Sequence, residues 1–334
     1  MFEDKNEKLK IKDLREVQKD FNPKYHKEKI EVGIDRLTLL VDSINPMKLA
    51  KELKEALIKN LQGHVDFSVT STDYRSFSLE YITEDDNRVN LIYFEVVNFE
   101  EELLRIDFNP NRLKEYEAME IWKRIILFLK LQSEDIRLSR FDLAFDIFNM
   151  PSVITVKHTK GGVKSTFYYG RSTELETVYW GSRTSNVQVR LYDKNKERLQ
   201  KGKLNTVHLI NNPYWWRFEA QLRTKAINAD MVSEVMERLQ NFGIYDYSKL
   251  GGNKAFTYIF FHDESMLPYV FDNLTLDSLR VSKHRIRKRL QELDNEFSRK
   301  LIIALREQSP KLAKELKQYT DEFLGFTSEE NNEQ

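Results

Sequence analysis

The segment VQVRLYDKNKER, residues 187–198, places a tyrosine between two cations on one side of a predicted strand. Successive side chains of a strand point to opposite faces, so Arg190, Tyr192 and Lys194 share the face opposite the valines and Leu191. A phenol has a pKa of about 10 and attacks poorly at neutral pH. Flanking cations and a nearby metal ion would favour phenolate, so Tyr192 is a candidate nucleophile for phosphoryl transfer. The alternative is a tyrosine whose ring covers the surface of a sheet.

Three more segments, LLRIDFN, RFDLAFDIF and WWRFEAQLR, alternate apolar residues with arginine and an acid. A single strand of this kind is explained by an antiparallel sheet that has one solvent-exposed face. Four such strands, with short acids beside arginines, favour a site for a divalent cation and a phosphate. The candidate catalytic cations on this face are Arg190, Lys194 and Arg217; Arg140 either joins them or pairs with Asp142 or Asp107.

The candidate metal ligands are Asp142, Glu219 and Asp146. The chain has no cysteine and no His-x-His pair, so carboxylate ligands favour a hard ion, Mg²⁺ or Mn²⁺. Asp142 and Asp146 lie about 13 Å apart along one extended strand, which is too far to share an ion without a bend. Asp142 with Glu219 is therefore the better pair, and Asp146 either assists or anchors an arginine.

The elements that carry these residues predict an α+β fold. Strands joined mostly by hairpins form a central antiparallel sheet with helices on one face and an open catalytic face. Residues 111–132 are predicted to form one long amphipathic helix. A helical C-terminal module is expected at residues 271–325, with Pro310 interrupting it, after a sheet domain at 31–270. Residues 1–30 are expected to be a flexible arm, and 326–334 a disordered tail.

The composition describes an ordinary globular protein rather than a membrane protein or a generally basic one. The 334 residues are 40% hydrophobic and 32% charged, with a formal net charge of zero. No apolar run reaches the roughly 18 to 20 residues of a membrane span, and the charged start is unlike a signal peptide. With no disulfides possible, a cytoplasmic location is expected.

A local basic stretch, RVSKHRIRKRL, opens the predicted C-terminal helix, where its charge opposes the helix dipole. This favours contact with DNA phosphates over a plain solvated face. Unpaired bases are expected to stack on exposed aromatic residues near the loop GSRTSN, although core packing is the commoner fate of such rings. The candidate DNA-binding residues are Lys283, Arg285, Arg287, Lys288, Arg289, Trp180 and Arg183, with Tyr168, Tyr169 and Trp215 as further candidates for stacking.

The segments LRIDFNPNRL, RLSRFDLAFD, FYYGR with LETVYWGSRTSN, VQVRLYDKNKER and WWRFEAQLR together resemble the Rep_trans replication initiators of Gram-positive rolling-circle plasmids. The resemblance spans roughly residues 31–226, in the same order and at similar spacing. It implies an enzyme that binds a double-strand origin with a hairpin and nicks one strand. It also implies that Tyr192 stays joined to the 5′-phosphate, with Mg²⁺ or Mn²⁺ held by the acids of the two strand motifs.

The resemblance further implies a homodimer, a host helicase as partner, and origin discrimination by the C-terminal part, here residues 271–325. The nicking and strand-transfer chemistry falls to residues 31–270. Three alternatives remain open on the residues: a relaxase of an integrative element with the same chemistry, a metal-dependent phosphodiesterase in which water attacks, and a non-catalytic DNA-binding module.

Overall fold

The structure, a computed structural model, describes most of the chain. The described residues are 9–71, 73, 75–84, 86–98, 100–150, 156–158, 163–171, 175–182, 184–223, 235–244, 284 and 296–320.

Helices and strands alternate irregularly along the chain. The strands are β1 (Lys29–Asp42), β2 (Phe67–Ser71), β3 (Ser76–Ile82), β4 (Arg88–Asn98), β5 (Glu102–Phe108), β6 (Asp135–Phe148), β7 (Val156–His158), β8 (Ser165–Tyr169), β9 (Leu175–Trp180), β10 (Val187–Asp193), β11 (Trp215–Arg223) and β12 (Phe242–Ile244). The helices are α1 (Ile11–Lys19), α2 (Pro46–Asn60), α3 (Pro110–Glu115), α4 (Met119–Gln132), α5 (Lys194–Gln200), α6 (Thr206–Asn211) and α7 (Phe297–Thr320).

A ten-stranded sheet dominates the described part of the chain, in the order β2-β3-β4-β5-β1-β6-β11-β10-β9-β8. Every neighbouring pair in it is antiparallel. Strands β7 and β12 form a separate two-stranded sheet. The predicted α+β class with a central antiparallel sheet is therefore confirmed, as is the predicted hairpin of β3 and β4.

One face of the large sheet is apolar and is covered by helices α2, α4 and α7. Their buried residues, among them Leu53, Trp122 and Leu301, join the inward side chains of the strands in one core. The other face carries the arginines and acids of the four alternating strands. Helix α5 borders this polar face, because it begins directly after β10 at Lys194.

The long helix predicted for residues 111–132 is instead two helices, α3 and α4. Glu117 adopts φ 53°, and the amide of Ala118 donates to the carbonyl of Leu113. Helices commonly end in this manner, with one residue in the left-handed conformation and the next amide bonded back to a carbonyl of the last helical turn. Apolar periodicity does not reveal it, because both helices keep their apolar sides towards the same core.

Pro310 does not interrupt the C-terminal helix, contrary to the prediction. It lies inside α7, whose buried residues continue on both sides of it. Near the proline, the Gln308 side chain donates to the Ile30 carbonyl and accepts from the Val32 amide. The Tyr319 hydroxyl donates to the Pro110 carbonyl. These contacts with the sheet domain offset the roughly 3 kcal/mol that an internal proline costs.

Residues 297–320 are therefore packed into the core of the sheet domain, although the sequence predicts a separate module from residue 271. The predicted flexible arm also differs from the structure, since α1 is helical and Leu14 is fully buried against Leu204 and Leu209. A helix of nine residues shows too few turns for a clear periodic pattern. No helix in the described residues has the length and apolar character of a membrane span.

The ten strands form two similar halves related by an approximate twofold axis. At the centre Leu37 pairs with Phe141, and Arg36–Asp142 and Arg140–Thr38 pair symmetrically around it. Outward from this centre, β5, β4, β3 and β2 on one side correspond to β11, β10, β9 and β8 on the other. Each central strand has a one-residue bulge just before its arginine, so the halves share irregularities as well as order.

Candidate active site

Tyr192 lies near the end of β10, opposite Arg217 of β11 and Thr177 of β9. Its residue is only 8% exposed, but it lines a cavity of about 370 Å³ together with Asp35 and residues of α5. The Lys194 ammonium lies 3.5 Å from its hydroxyl, and the Arg190 guanidinium lies 4.9 Å from its ring centroid. The predicted grouping of the phenol with these cations is present.

The charge balance around Tyr192 does not favour phenolate. Burial raises the pKa of Tyr192, and this outweighs the opposing charges of Arg217 and Arg190. The carboxylates of Glu219 and Asp35 raise that pKa further. The flanking cations by themselves thus do not favour phenolate, because the side chain is buried and the same face also carries acids. The prediction that they do so together with a nearby metal ion stays a prediction.

Glu219 is the acid on the strand next to Tyr192. It is 2% exposed and accepts a hydrogen bond from the Arg190 guanidinium at 2.6 Å. Burial raises the pKa of Glu219 to about 7 despite Arg190, and the charges of Asp35 and Asp142 add to the rise. The rise thus comes first from burial of the carboxyl, and the neighbouring acids only add to it.

Asp142 is held by its own strand neighbour, Arg140. The Arg140 Nε and Nη2 donate to its two oxygens at 2.8 and 2.5 Å, and Gln221 donates at 3.4 Å. Burial raises the pKa of Asp142 against the effect of Arg140. Of the partners considered for Arg140, Asp142 is thus the one in contact. Asp107 instead accepts from Thr38 and Arg105.

Asp146 anchors an arginine, which was one of its two predicted roles. The Arg217 Nε and Nη2 donate to its two oxygens at 2.8 Å each. The Trp215 indole donates to the same carboxylate at 2.6 Å. Both oxygens are thus engaged in holding Arg217, as the two oxygens of Asp142 are in holding Arg140, and metal ligation by Asp146 stays a prediction.

We expect Asp146→Asn to lower the free energy of unfolding by roughly 2 to 3 kcal/mol, since it removes one of the two carboxylate charges that pair with the buried Arg217 guanidinium. Chemical denaturation measures this loss. The matched control is Asp135→Asn at the exposed start of the same strand, where a change under roughly 0.5 kcal/mol is expected. Mg²⁺ affinity measured by calorimetry should be the same in both variants. A large loss of Mg²⁺ affinity in Asp146→Asn alone would instead show that Asp146 is a metal ligand.

Asp35 belongs to the site, although the sequence analysis did not select it. It is the extra residue of the bulge in β1, where pairing passes from Ile34 to Arg36. The bulge turns Asp35 and Arg36 to the polar face together, which is how bulges redirect side chains near functional sites. The Arg217 Nη1 donates to Asp35 at 2.6 Å. Two successive polar residues within the apolar alternation VGIDRLTLL were the available sequence signal.

The donor set suits a hard divalent cation chemically, although the acids are not arranged as a ready cluster. Asp35, Asp142 and Glu219 face one region. The charge of Asp35 raises the pKa of Asp142, and the charges of Asp35 and Asp142 raise the pKa of Glu219. Among the residues described, however, no three acidic or imidazole side chains are grouped so that they would share an ion. Each acid is paired with an arginine instead, so metal binding requires at least one of these pairs to open.

The predicted DNA-contacting residues fall into three groups. Trp180 is not available for stacking, because it is 3% exposed and packs edge-on against Phe242 at 4.9 Å. Trp215 is also buried, whereas Tyr168 and Tyr169 are about half exposed. The remaining candidates lie outside the described residues: Arg183, Lys283, Arg285, Arg287, Lys288 and Arg289.

Comparisons with known proteins relate this chain to replication initiation proteins. The model of the family Rep_trans, replication initiation factor, matches residues 136–259, which include β10 and β11. A replication initiation protein of Staphylococcus aureus is 29% identical over 226 residues, covering 66% of this chain and 65% of that relative. Another from the same organism is 35% identical over 125 residues, 37% of each chain. The chain thus spans just under two thirds of the first relative's length.

One solved structure is similar in outline. It is described as a rolling circle replication initiator protein from Geobacillus stearothermophilus, and it is 14% identical with a TM-score of 0.37. The match covers 68% of this chain and 91% of that one.

Proposed function

We propose that the chain initiates rolling-circle replication of DNA, because residues 136–259 match the model of the Rep_trans family, replication initiation factor. In this proposal it binds a double-strand origin and nicks one strand through Tyr192. The observation that carries the nicking role is the position of Tyr192. Its side chain lines an open cavity, with a cation beside its hydroxyl and Arg217 on the adjoining strand.

The reaction exchanges one phosphate ester for another. The Tyr192 oxygen forms a bond to phosphorus, the bond from phosphorus to the 3′ oxygen breaks, and that oxygen takes up a proton. The 5′-phosphate remains on the tyrosine. The two esters are similar in energy, so the reverse transfer rejoins a strand without a nucleotide cofactor.

The cations of the site have separate tasks. Lys194 donates to the phenolic oxygen and stabilises it as it loses its proton. Arg190 lies on the same strand as Tyr192, and Arg217 lies opposite Tyr192 on the next strand, where both would offset the charge that develops on the phosphate oxygens. Asp146 acts indirectly, by fixing the orientation of Arg217.

A Mg²⁺ or Mn²⁺ ion held by Glu219 and Asp35, with Asp142 as a further ligand, would add positive charge beside the phosphate and the phenol. Burial and these carboxylates keep the pKa of Tyr192 raised. Cancelling the charge of Glu219 and Asp35 removes part of that effect. The family resemblance also suggests a homodimer and a host helicase, which we carry as parts of the proposal.

Incubating the protein with Mg²⁺ and a supercoiled plasmid that carries a candidate origin tests the function. We expect nicked plasmid and, after denaturation, protein joined to the 5′ end at the nick. EDTA should abolish both products. Nicks without attached protein would indicate attack by water. Water is the alternative nucleophile because the raised pKa of Tyr192 keeps its phenol protonated. Binding of the plasmid without nicking would indicate a non-catalytic DNA-binding module. The same products from a transfer origin of an integrative element would identify a relaxase.

A second cavity, of about 570 Å³, adjoins the Tyr192 cavity and suits an unpaired base. It shares Thr177 and Tyr179 with that cavity and is also lined by Tyr168 and Gln188. The rings of Tyr168 and Tyr179 meet edge to face at 5.8 Å, and Tyr168 is 50% exposed. An exposed ring beside an amide offers stacking and an edge contact to a base next to the nicked phosphate.

We expect Tyr168→Ala to weaken binding of an origin single strand by about 5- to 150-fold, because stacking contributes roughly 1 to 3 kcal/mol per base. Fluorescence anisotropy measures the affinity. Tyr25→Ala is the matched control, since Tyr25 is an exposed tyrosine, 75% accessible, on another part of the chain. Equal affinities in the two variants would remove Tyr168 from the strand path.

A further inference from the structure

Helix α5 places a lysine next to the phenol of the candidate active site. Strand β10 ends at Asp193, and Lys194 is the first residue of α5 rather than a further residue of the strand. Side chains of a helix point back towards its N-terminus, and the Lys194 ammonium lies 3.5 Å from the Tyr192 hydroxyl. A cation in the first turn of a helix is opposed by the helix dipole. Another contact is therefore needed to hold the ammonium in this place.

The surroundings of Lys194 disfavour its charged form. The side chain is 14% exposed, and burial lowers the pKa of Lys194. The like charge of Arg217 on β11 lowers this pKa further, whereas Glu197 and Asp35 raise it. Asp35 already accepts a hydrogen bond from the Arg217 guanidinium at 2.6 Å. An ammonium beside Arg217 therefore depends on a carboxylate that this guanidinium does not hold.

Glu197 supplies such a carboxylate. It lies three residues after Lys194 on α5, a spacing that brings side chains together on a helix, and its Oε2 is 2.9 Å from the Lys194 Nζ. Its other oxygen accepts from Lys201 of the same segment. Burial raises the pKa of Glu197, but the hydrogen bonds from the two lysines outweigh burial and bring the pKa to about 2. Glu197 is therefore ionised at neutral pH.

The first turn of α5 is fixed without the help of Glu197. Asn195, the residue after Lys194, is fully buried. Its side-chain amide donates to the carbonyls of Asn212 and Pro213, at 3.0 and 3.1 Å, just before β11 begins. Loss of the Glu197 charge should therefore free the end of the Lys194 side chain without moving the helix.

We propose that Glu197 is a positioning residue for the strand transfer, because it holds the Lys194 ammonium at the Tyr192 oxygen. This rests on the proposed function and adds a residue to it. Glu197 acts through the lysine and takes no proton from the reaction. Without its charge, the ammonium faces Arg217 unbalanced, and the phenol loses the cation that stabilises it as its proton leaves.

The test compares Glu197→Gln with wild type in single-turnover attachment to a supercoiled plasmid that carries a candidate origin. We expect the rate at saturating DNA to fall by about 10- to 100-fold, as for a misplaced catalytic group. Affinity for the plasmid should stay the same or increase, because the variant removes a negative charge from the wall of the Tyr192 cavity. A wild-type rate at saturation, or a loss of affinity alone, would overturn the proposal.

A double-mutant cycle determines whether Glu197 acts through Lys194. Lys194→Met removes the ammonium, and adding Glu197→Gln to it should cause no further loss of rate. Thermal unfolding verifies that the single and double variants are folded. A further loss as large as that of Glu197→Gln alone would give Glu197 a separate role and overturn the proposal.

The ion pair is also measurable in the protein without DNA. Trace acetylation with acetic anhydride, followed by mass spectrometry, reports how often each lysine amine is neutral and accessible. We expect Lys194 to react at least about fivefold faster in Glu197→Gln, since removal of the paired carboxylate disfavours the charged amine. Unchanged reactivity of Lys194 would show that Glu197 does not hold it.

Glu120→Gln is the matched control, because Glu120 of α4 also pairs with a lysine three residues away, Lys123, at 2.5 Å. Attachment rate, affinity and acetylation of Lys194 should be as in wild type, and an equal loss of rate in the control would overturn the proposal. Tyr192→Phe separates the two claims. If that variant nicks at the wild-type rate, the proposed function fails. If it does not nick but Glu197→Gln is as fast as wild type, only the role of Glu197 fails.

Discussion

Replacing Tyr192 by phenylalanine is expected to abolish covalent attachment to DNA and to reduce nicking by at least about a thousandfold. The substitution removes one oxygen and keeps the ring, which packs between Arg190 and Lys194. Denaturing gels of protein and end-labelled origin DNA detect the adduct, and plasmid relaxation follows the rate. Continued nicking at the wild-type rate would contradict the role of Tyr192 and favour water as the nucleophile.

Tyr116→Phe is the matched control for this variant. Burial also raises the pKa of Tyr116, but it lies at the end of α3, on another part of the fold. Both variants should unfold within a few degrees of wild type, because neither creates a cavity. A loss of nicking in both would indicate a general effect of removing phenols rather than a catalytic role of one.

Replacing Glu219 by glutamine is expected to reduce Mg²⁺-dependent nicking by roughly a hundredfold and to raise the Mg²⁺ concentration needed for half-maximal rate. Glutamine preserves the shape and an acceptor for Arg190 but removes the charge that attracts the cation. Rates over a Mg²⁺ titration separate weaker metal binding from slower chemistry. An unchanged Mg²⁺ dependence would exclude Glu219 as a ligand.

Glu80→Gln provides the comparison, because Glu80 is a half-buried acid paired with Arg88 on the opposite end of the sheet. It undergoes the same chemical change in a similar strand environment. Nicking and Mg²⁺ dependence should be as in wild type. The contrast between the two variants therefore reports on position rather than on the loss of one carboxylate.

In the protein without ligands the site is balanced by internal ion pairs. Glu219 is paired with Arg190, Asp142 with Arg140, and Asp146 with Arg217. In the proposed function, a DNA phosphate would compete with the acids for the arginines, and a cation would compete with the arginines for the acids. We therefore expect the two ligands to bind together, since either alone would leave one partner of a buried pair unmatched.

The sequence by itself determined the strands that carry the candidate site, the faces of their side chains outside the bulges, and the grouping of Tyr192 with its cations. These features follow from local rules, because alternation fixes the faces of a strand wherever one side must be buried. The same rules predicted the antiparallel sheet. The family resemblance, carried by five short segments in order, was confirmed by the match over residues 136–259.

Only the tertiary structure decided which acid meets which arginine, because pairing depends on the register between strands. Opposite Asp146 the register places Arg217, and a single-residue bulge brings Asp35 to the site. The tertiary structure also decided the burial of Trp180, since the pattern of a strand does not show which other elements cover its last residue. The continuity of α7 through Pro310 has the same origin, because contacts with a distant part of the chain outweigh a local preference.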